Sequence, residues 1–303
     1  MNIPVLLITF NRPEEFSQVL SITLQQNPST LYIAVDGART GNQEDLSAQN
    51  KISEIIKNIP PTLALKTKIR SENVGCKTNV SEAISWFFEN EERGIILEDD
   101  CIPQASFFPF CEELLERYKD NETVMHIAGS NYHYGKEYGN KSYYFSKYNT
   151  VWGWASWRRA WKNCDMAMKG INEFFNDAKT DSYFLNQEEK KFWHKLMLQC
   201  RDQNISTFDY QWLFSCWKKG GMAIHPNKNL VSNVGIGNKA TNTFSMSDAI
   251  KNRKVEEMKF PLQHPTNIEK NKKADAALFY TVHHPGYGKK EKIFTFLKKL
   301  YYA

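Results

Sequence analysis

The sequence predicts an α/β fold: a mostly parallel central sheet flanked by helices, followed by a C-terminal helical extension. Three observations point there. The first hundred or so residues alternate strand-like and helix-like patterns four times. The opening strand–helix–strand unit is complete by about residue 36, and a crossover of that kind forces its two strands parallel. The strand-like runs are short and apolar, as strands covered on both faces are.

Taken in order, Pro4-Val5-Leu6-Leu7-Ile8-Thr9-Phe10 reads as a buried strand. Asn11-Arg12-Pro13-Glu14-Glu15 then gives a turn and a helix start, with proline near the first helical position and acids in the first turn. Phe16, Val19, Leu20 and Leu24 continue at helical spacing until Asn27-Pro28 stops the helix. Leu31-Tyr32-Ile33-Ala34-Val35 is the second strand, ending in Asp36-Gly37. Between Ser47 and Ile59, the isoleucines 52, 55 and 56 form an apolar face before Pro60-Pro61. Leu63 to Ile69 alternates apolar and polar side chains, as a strand nearer the sheet edge does. A polar loop from Arg70 to Asn79 feeds a helix carrying Val80, Ile84, Phe87 and Phe88.

The next strand is the one the chemistry depends on. Ile95-Ile96-Leu97 ends abruptly in Glu98-Asp99-Asp100, with Pro103 close behind. Open α/β sheets bind ligands at the carboxyl ends of their strands. Carboxylates crowded there repel one another and resist losing water, a cost that a divalent cation removes. Hard oxygen ligands suit Mn²⁺ or Mg²⁺. A solvated acidic loop is the plainer reading of the same residues. Two other strand ends, Thr9-Phe10-Asn11-Arg12 and Asp36-Gly37, are polar as well, which a buried strand does not need and a ligand crevice does.

Composition bounds the rest. The 303 residues suffice for one large α/β domain with elaborations, or two modest ones. Six scattered cysteines, with no CxxC pair and no zinc spacing, fit a reduced, cytoplasmic setting. No secretory leader and no run of membrane-spanning length is visible. The formal charge of +5 permits an anionic surface without requiring one, and no nucleic-acid partner is expected.

The ordered set of Thr-Phe-Asn-Arg, Val-Asp-Gly, Asn-x-Gly and Glu-Asp-Asp at successive strand ends resembles the GT-A glycosyltransferases, nearest the family 2-like enzymes. The Glu-Asp-Asp form is similar to that of N-acetylglucosaminyltransferase I-type enzymes. The match covers residues 3 to about 105. Trp152-Gly153-Trp154 is similar to the aromatic, glycine-containing segment on the acceptor side of these enzymes. Phe208-Asp209-Tyr210-Gln211-Trp212, with His225 on a short later strand, resembles the helix start carrying the catalytic base, at a different spacing. The resemblance implies a glycosyltransferase domain over 1–245, divided into a nucleotide-binding half (1–105) and an acceptor-binding half (106–245), with 246–303 as an extension.

It also implies roles. Thr9, Asn11 and Arg12 would hold the nucleotide, with Asp36 reaching base or ribose and Arg70, Asn73 and Gly75 nearby. Asp100 would contact the metal, with Asp99 or Glu98 acting through water or on the sugar, and His225 as a second ligand or phosphate contact. Asp209 is the candidate base, its alternative being a helix N-cap, and Asp165 is the fallback. Trp152 and Trp154, flanking Gly153, would offer a sugar-stacking wall, although the spacing of Trp154, Trp157 and Trp161 also fits one buried helical face. The loop from Asn229 to Asn238 could close over a diphosphate, with Lys239 as charge partner.

The expected activity is metal-dependent, inverting transfer from a nucleoside diphosphate sugar, a UDP-sugar foremost, to a glycan, polysaccharide or lipid-linked acceptor. The tail from Lys289 to Tyr302 has the pattern of a basic amphipathic helix, suited either to peripheral membrane contact or to docking on the domain. Two alternatives stand beside this. A sugar-1-phosphate nucleotidyltransferase would want a glycine-rich loop after the first strand, where Thr9 to Pro13 has none. A non-catalytic glycan-binding module would use the triplet for structural Ca²⁺.

Overall fold

A computed structural model describes residues 1–202, 205, 207–235 and 253–284. Its centre is an eight-stranded sheet. In chain order the strands are β1 (Val5–Thr9), β2 (Leu31–Val35), β3 (Leu65–Ile69), β4 (Arg93–Glu98), β6 (Val124–Ala128), β7 (Tyr143–Ser146), β8 (Trp154–Trp157) and β9 (Met222–Pro226). They lie side by side as β3-β2-β1-β4-β8-β6-β9-β7. The first four pair parallel, β8 runs antiparallel to β4 and β6, β9 is parallel to β6, and β7 closes the edge antiparallel. A two-stranded antiparallel ribbon, β5 (Cys101–Pro103) with β10 (Val231–Asn233), stands beside it.

The period of two along each central strand divides the core into two layers. Val5, Leu7, Ile95 and Leu97 face the cluster built with α1 (Pro13–Gln25), α2 (Gln43–Lys57) and α4 (Phe107–Arg117). Leu6, Ile8 and Ile96 face the other, built with α3 (Cys76–Asn90), α5 (Arg158–Trp161) and α8 (Asp209–Lys218). Both faces are covered, so β1 and β2 are buried along their whole length, while the edge strand β3 leaves Ile69 55% exposed. The α/β class and the mostly parallel sheet flanked by helices are therefore present as the sequence predicts.

Two local expectations change. The helix read from Ser47 begins at Gln43, where the Asn42 side chain accepts from Asp45 N; a polar first turn hides that start from an apolar count. Trp154, Trp157 and Trp161 share no helical face. Trp154 and Trp157 lie on β8, three residues apart and so on opposite faces, and Trp161 is in the short α5 that follows. A strand running straight into a helix mimics helical spacing. Within the stretch assigned to the C-terminal extension, residues 253–284 pack onto the sheet and its helices. Here α9 (Lys272–Leu278) and a π-helical turn, Phe279–His283, bury Leu278 and Phe279 in the main core. The proposed basic helix from 289 to 302 lies outside the described residues.

What anchors this segment is polar and buried. Lys147, following β7, pairs with Glu189 of α7 (Gln187–Arg201) at 2.7 Å, with the two side chains 2% and 0% exposed. Tyr148 donates to the same carboxylate, and Asp275 of α9 accepts from the Ser146 hydroxyl. Burial pushes the Asp275 carboxyl up to about 6 and lowers the Lys147 ammonium. Removing one member of a buried pair strands the other charge. Lys147→Met is thus expected to cost about 3–5 kcal/mol, with much of the loss recovered in Lys147→Met/Glu189→Met, as a urea denaturation cycle would measure.

Candidate active site

A cavity of about 720 Å³ opens at the carboxyl ends of β1, β2 and β4, within the size range of small-molecule sites. The parallel register sets Ile8 opposite Glu98, so the residues leaving β1 meet the acidic triplet leaving β4. Thr9 Oγ1 donates to Asp99 Oδ2 at 2.8 Å, and Phe10 N donates to the same oxygen at 3.2 Å. Arg12 Nη1 lies 3.0 Å from Asp99 Oδ1 and 2.8 Å from Asp100 Oδ2. Asp100 Oδ1 accepts from Asn233 Nδ2 at 3.0 Å, across the β5–β10 ribbon.

This is a carboxylate cluster under strain from its own charge. Burial, then Asp100, Asp99 and Asp209, hold the Glu98 carboxyl well above the usual range. Burial and Asp100 push Asp99 up to about 6, against the opposing pull of Arg12, Thr9 and Phe10 N. One guanidinium does not neutralise three acids. The donor set is all oxygen and suits a hard divalent cation. Among the described residues, however, no three His, Cys, Asp or Glu side chains form a metal cage. Asp99 and Asp100 are both engaged by neighbours, Asp100 by Arg12 on one oxygen and Asn233 on the other, so a cation here would need Arg12 turned aside and further oxygens from a bound substrate. The space around Asp100 is tight: a Cβ on Gly235 would fall 2.0 Å from Oδ2.

Asp36 lines the cavity and is 3% exposed. Its carboxylate accepts from Gly37 N (2.9 Å), Val74 N (3.0 Å), Gly75 N (3.1 Å) and Asn73 Nδ2 (3.1 Å). It therefore fixes the Asn73–Gly75 loop against the end of β2, a duty beyond the simple turn. Gly37 is required there, because a Cβ would sit 2.2 Å from the Glu72 carbonyl carbon. Asn11 also lines the cavity and donates to Asp45, which Arg39 clamps through two guanidinium nitrogens.

Asp209 opens α8 (Asp209–Lys218) and lines the same cavity, where its charge acts on Glu98. It is not the N-cap: Phe208 occupies that position without a side-chain cap. The carboxylate accepts from Tyr210 N at 3.0 Å and from the Thr207 hydroxyl, while burial raises its pKa above the ordinary carboxylate value. Trp152 lines the cavity too, its ring 5.3 Å from that of Tyr132, and Arg253 stacks on both.

The structure brings Thr9, Asn11, Arg12, Asp36, Asn73, Gly75, Glu98, Asp99, Asp100, Trp152 and Asp209 to one cavity. It removes others. Arg70 turns away to Asn79 and Glu82. His225, on β9, is buried against Tyr144 with Nε2 2.8 Å from Tyr148 O, and burial drops it to about 4; it lines no part of the cavity and is no second ligand. Trp154 is buried against His126, and Gly153 at φ 61° packs on Val231, so neither forms the sugar wall. Asp165 caps its own loop by accepting from Ala167 N and Lys169 N. Of the loop proposed to close over a diphosphate, Val231 to Asn233 is β10 and pairs with β5. Lys239 lies outside the described residues.

Sequence reasoning missed Arg39, Asn79, Tyr132 and Asn149, and also the lining contributed by Phe192, Leu196 and the turn Thr281–His283. Arg39 alone carried a signal, three residues after Asp36 at a strand end.

No family model matches the chain, and no curated protein matches it in sequence. Among solved structures it is similar to HddC from Yersinia pseudotuberculosis (10% identity, TM-score 0.29, 41% of this chain and 56% of that one). It is also similar to 4-diphosphocytidyl-2C-methyl-D-erythritol synthase from Anaerococcus prevotii (7% identity, TM-score 0.34, 62% of this chain and 84% of that one). A third is apo UDP-glucose pyrophosphorylase (8% identity, TM-score 0.39, 75% of this chain and 90% of that one). At these scores the likeness carries no functional conclusion.

Asp36→Ala strips the acceptor from three backbone N–H groups. It is expected to lower stability by about 3 kcal/mol and to speed amide exchange at Val74 and Gly75, read by hydrogen–deuterium exchange.

Proposed function

We propose that the chain is a metal-dependent, inverting glycosyltransferase. It moves a sugar from a nucleoside diphosphate sugar, a UDP-sugar first among them, onto a hydroxyl of a glycan, polysaccharide or glycoconjugate. The observation that carries this is the meeting of Glu98, Asp99 and Asp100 with Asp209 in the lining of one cavity at the carboxyl ends of parallel strands. Thr9, Asn11, Asp36, Asn73 and Gly75 form the nucleotide side, where strand-end and loop groups bond the base and ribose. Arg12 is the cation for phosphate oxygens, released from Asp99 and Asp100 as they arrive. A Mn²⁺ or Mg²⁺ ion held by Asp100 would neutralise charge on the departing diphosphate.

Asp209 takes the proton from the acceptor hydroxyl as its oxygen bonds to the anomeric carbon. The bond to the diphosphate breaks, and the diphosphate leaves with both electrons. Direct displacement of this kind needs a base, charge neutralisation and positioning, and no covalent enzyme intermediate. Trp152 and Tyr132 supply aromatic surface beside the attacked carbon. Among the described residues no helix is long and apolar enough to cross a membrane.

Slow, Mn²⁺-dependent release of UDP from a UDP-sugar, abolished by chelation, is the expected result. Conversion of the sugar nucleotide to UTP on adding pyrophosphate would instead mark a sugar-1-phosphate nucleotidyltransferase. Binding without turnover would mark a glycan-binding module. Asp209→Asn is expected to keep donor affinity within about threefold and to cut transfer by at least about 100-fold. Because a base works only when deprotonated, burial of Asp209 places the acid limb of kcat/KM above the ordinary carboxylate range. Transfer retained in the variant would sink the assignment of Asp209 as the base.

A further inference from the structure

Between β7 and β8 the chain leaves the sheet, and four of its residues in a row, Asn149 to Trp152, line the cavity. Buried backbone carbonyls outside a strand ladder still need donors. Three of them here are met in the same way, by a ring N–H of a buried side chain. Trp217 Nε1 donates to Lys147 O at 2.6 Å, His225 Nε2 to Tyr148 O at 2.8 Å, and His126 Nε2 to Thr150 O at 2.9 Å. The donors come from three separate elements, α8, β9 and β6. None of the three rings lines the cavity itself.

The two histidines are built alike. A carbonyl only accepts, so each imidazole carries a proton on Nε2. His126 Nδ1 lies 3.2 Å from Trp212 Nε1, and because an indole nitrogen only donates, Nδ1 must be the bare nitrogen. Each ring is stacked on a neighbour: His126 on Trp154 (4.9 Å, 19°) and His225 on Tyr144 (5.6 Å, 20°). Burial lowers them to about 3 and about 4, so both are neutral at ordinary pH. A stacked, neutral ring aims its N–H in one direction, which a flexible side chain does not.

We propose that His126, His225 and Trp217 are positioning residues. They set the path of the main chain from Lys147 to Thr150, and through it the placement of Asn149, Thr150 and Trp152 as the lining that receives the acceptor sugar. The word acceptor rests on the transferase reading; the clamp rests on the geometry alone. Asn149 adds a fourth tie, its Nδ2 3.4 Å from Cys216 Sγ. Helix α8 thus carries the candidate base at its first residue and Trp212, Cys216 and Trp217 further along. Base and acceptor lining are fixed to one element, which keeps their separation constant.

The clamp is tested without turnover. With isotope-labelled histidine, nitrogen NMR is expected to find His126 and His225 neutral and protonated on Nε2 between about pH 6 and 8. The other tautomer, or a charged ring, at either position would overturn the proposal. Fluorine NMR of protein labelled with 5-fluorotryptophan follows Trp152, whose line is assigned by Trp152→Phe. That line is expected to shift or broaden in His126→Leu and His225→Leu. It should return towards its wild-type position in His126→Gln and His225→Gln, whose amides can donate to the same carbonyls. A lower thermal midpoint with the Trp152 line unmoved would reduce the histidines to core packing and sink the idea. If a leucine variant does not fold, Trp217→Phe removes one N–H, keeps a ring, and is read in the same way.

Catalysis supplies the second readout. In His225→Leu, Mn²⁺-dependent release of UDP from UDP-glucose, UDP-galactose or UDP-N-acetylglucosamine should stay within about threefold of wild type, while KM for a methyl glycoside acceptor rises at least about tenfold. Donor hydrolysis that falls as far as transfer would refute the acceptor role. Absence of UDP release by the wild-type protein would refute the transferase reading, and the Trp152 line alone would then decide the clamp.

Discussion

The site depends on the mutual repulsion of acids that the fold forces together. β1 and β4 pair parallel, and their ends deliver Thr9, Phe10 N and Arg12 to the carboxylates that follow Leu97. These contacts hold Asp99 without cancelling the charge of its neighbours. Glu98 and Asp99 remain above the usual carboxylate range, chiefly through burial. Burial and like charge together keep these carboxyls from ionising as readily as exposed ones do.

Asp36 shows the complementary use of a buried carboxylate. Its acceptor positions face backbone N–H groups and one amide, so its charge is spread over the loop that leads into α3. One strand end organises backbone; the other concentrates charge.

The strand-end side of the cavity was legible because parallel strands buried on both faces are continuous apolar runs, and their polar ends are conspicuous against them. Thr9, Arg12, Asp36 and the triplet could be found by looking where those runs stop. The other half defeats that approach. Trp154 and Trp157 mimic a helical face because a strand leads directly into α5. His225 has the residue type of a ligand, and only the sheet reveals that both its faces are covered. Arg70 has the charge for a phosphate and is held by Glu82 instead. The turn ending at His283 enters the cavity through a buried ionic network joining Ser146, Lys147, Glu189 and Asp275, residues more than a hundred positions apart at the extremes. No local pattern encodes such a contact.

The β5–β10 ribbon has a kinetic consequence. It pairs Asn233 with Cys101 and ties Asp100 to a side chain 133 residues away. Contacts of such separation carry a large loop-closure cost and form late in folding. A nascent chain that has completed β5 already holds every acid of the triplet, yet lacks the strand β10 that fixes Asp100. The two halves of the polypeptide thus mature as one unit, and the charged pocket takes its final shape only after the ribbon has closed.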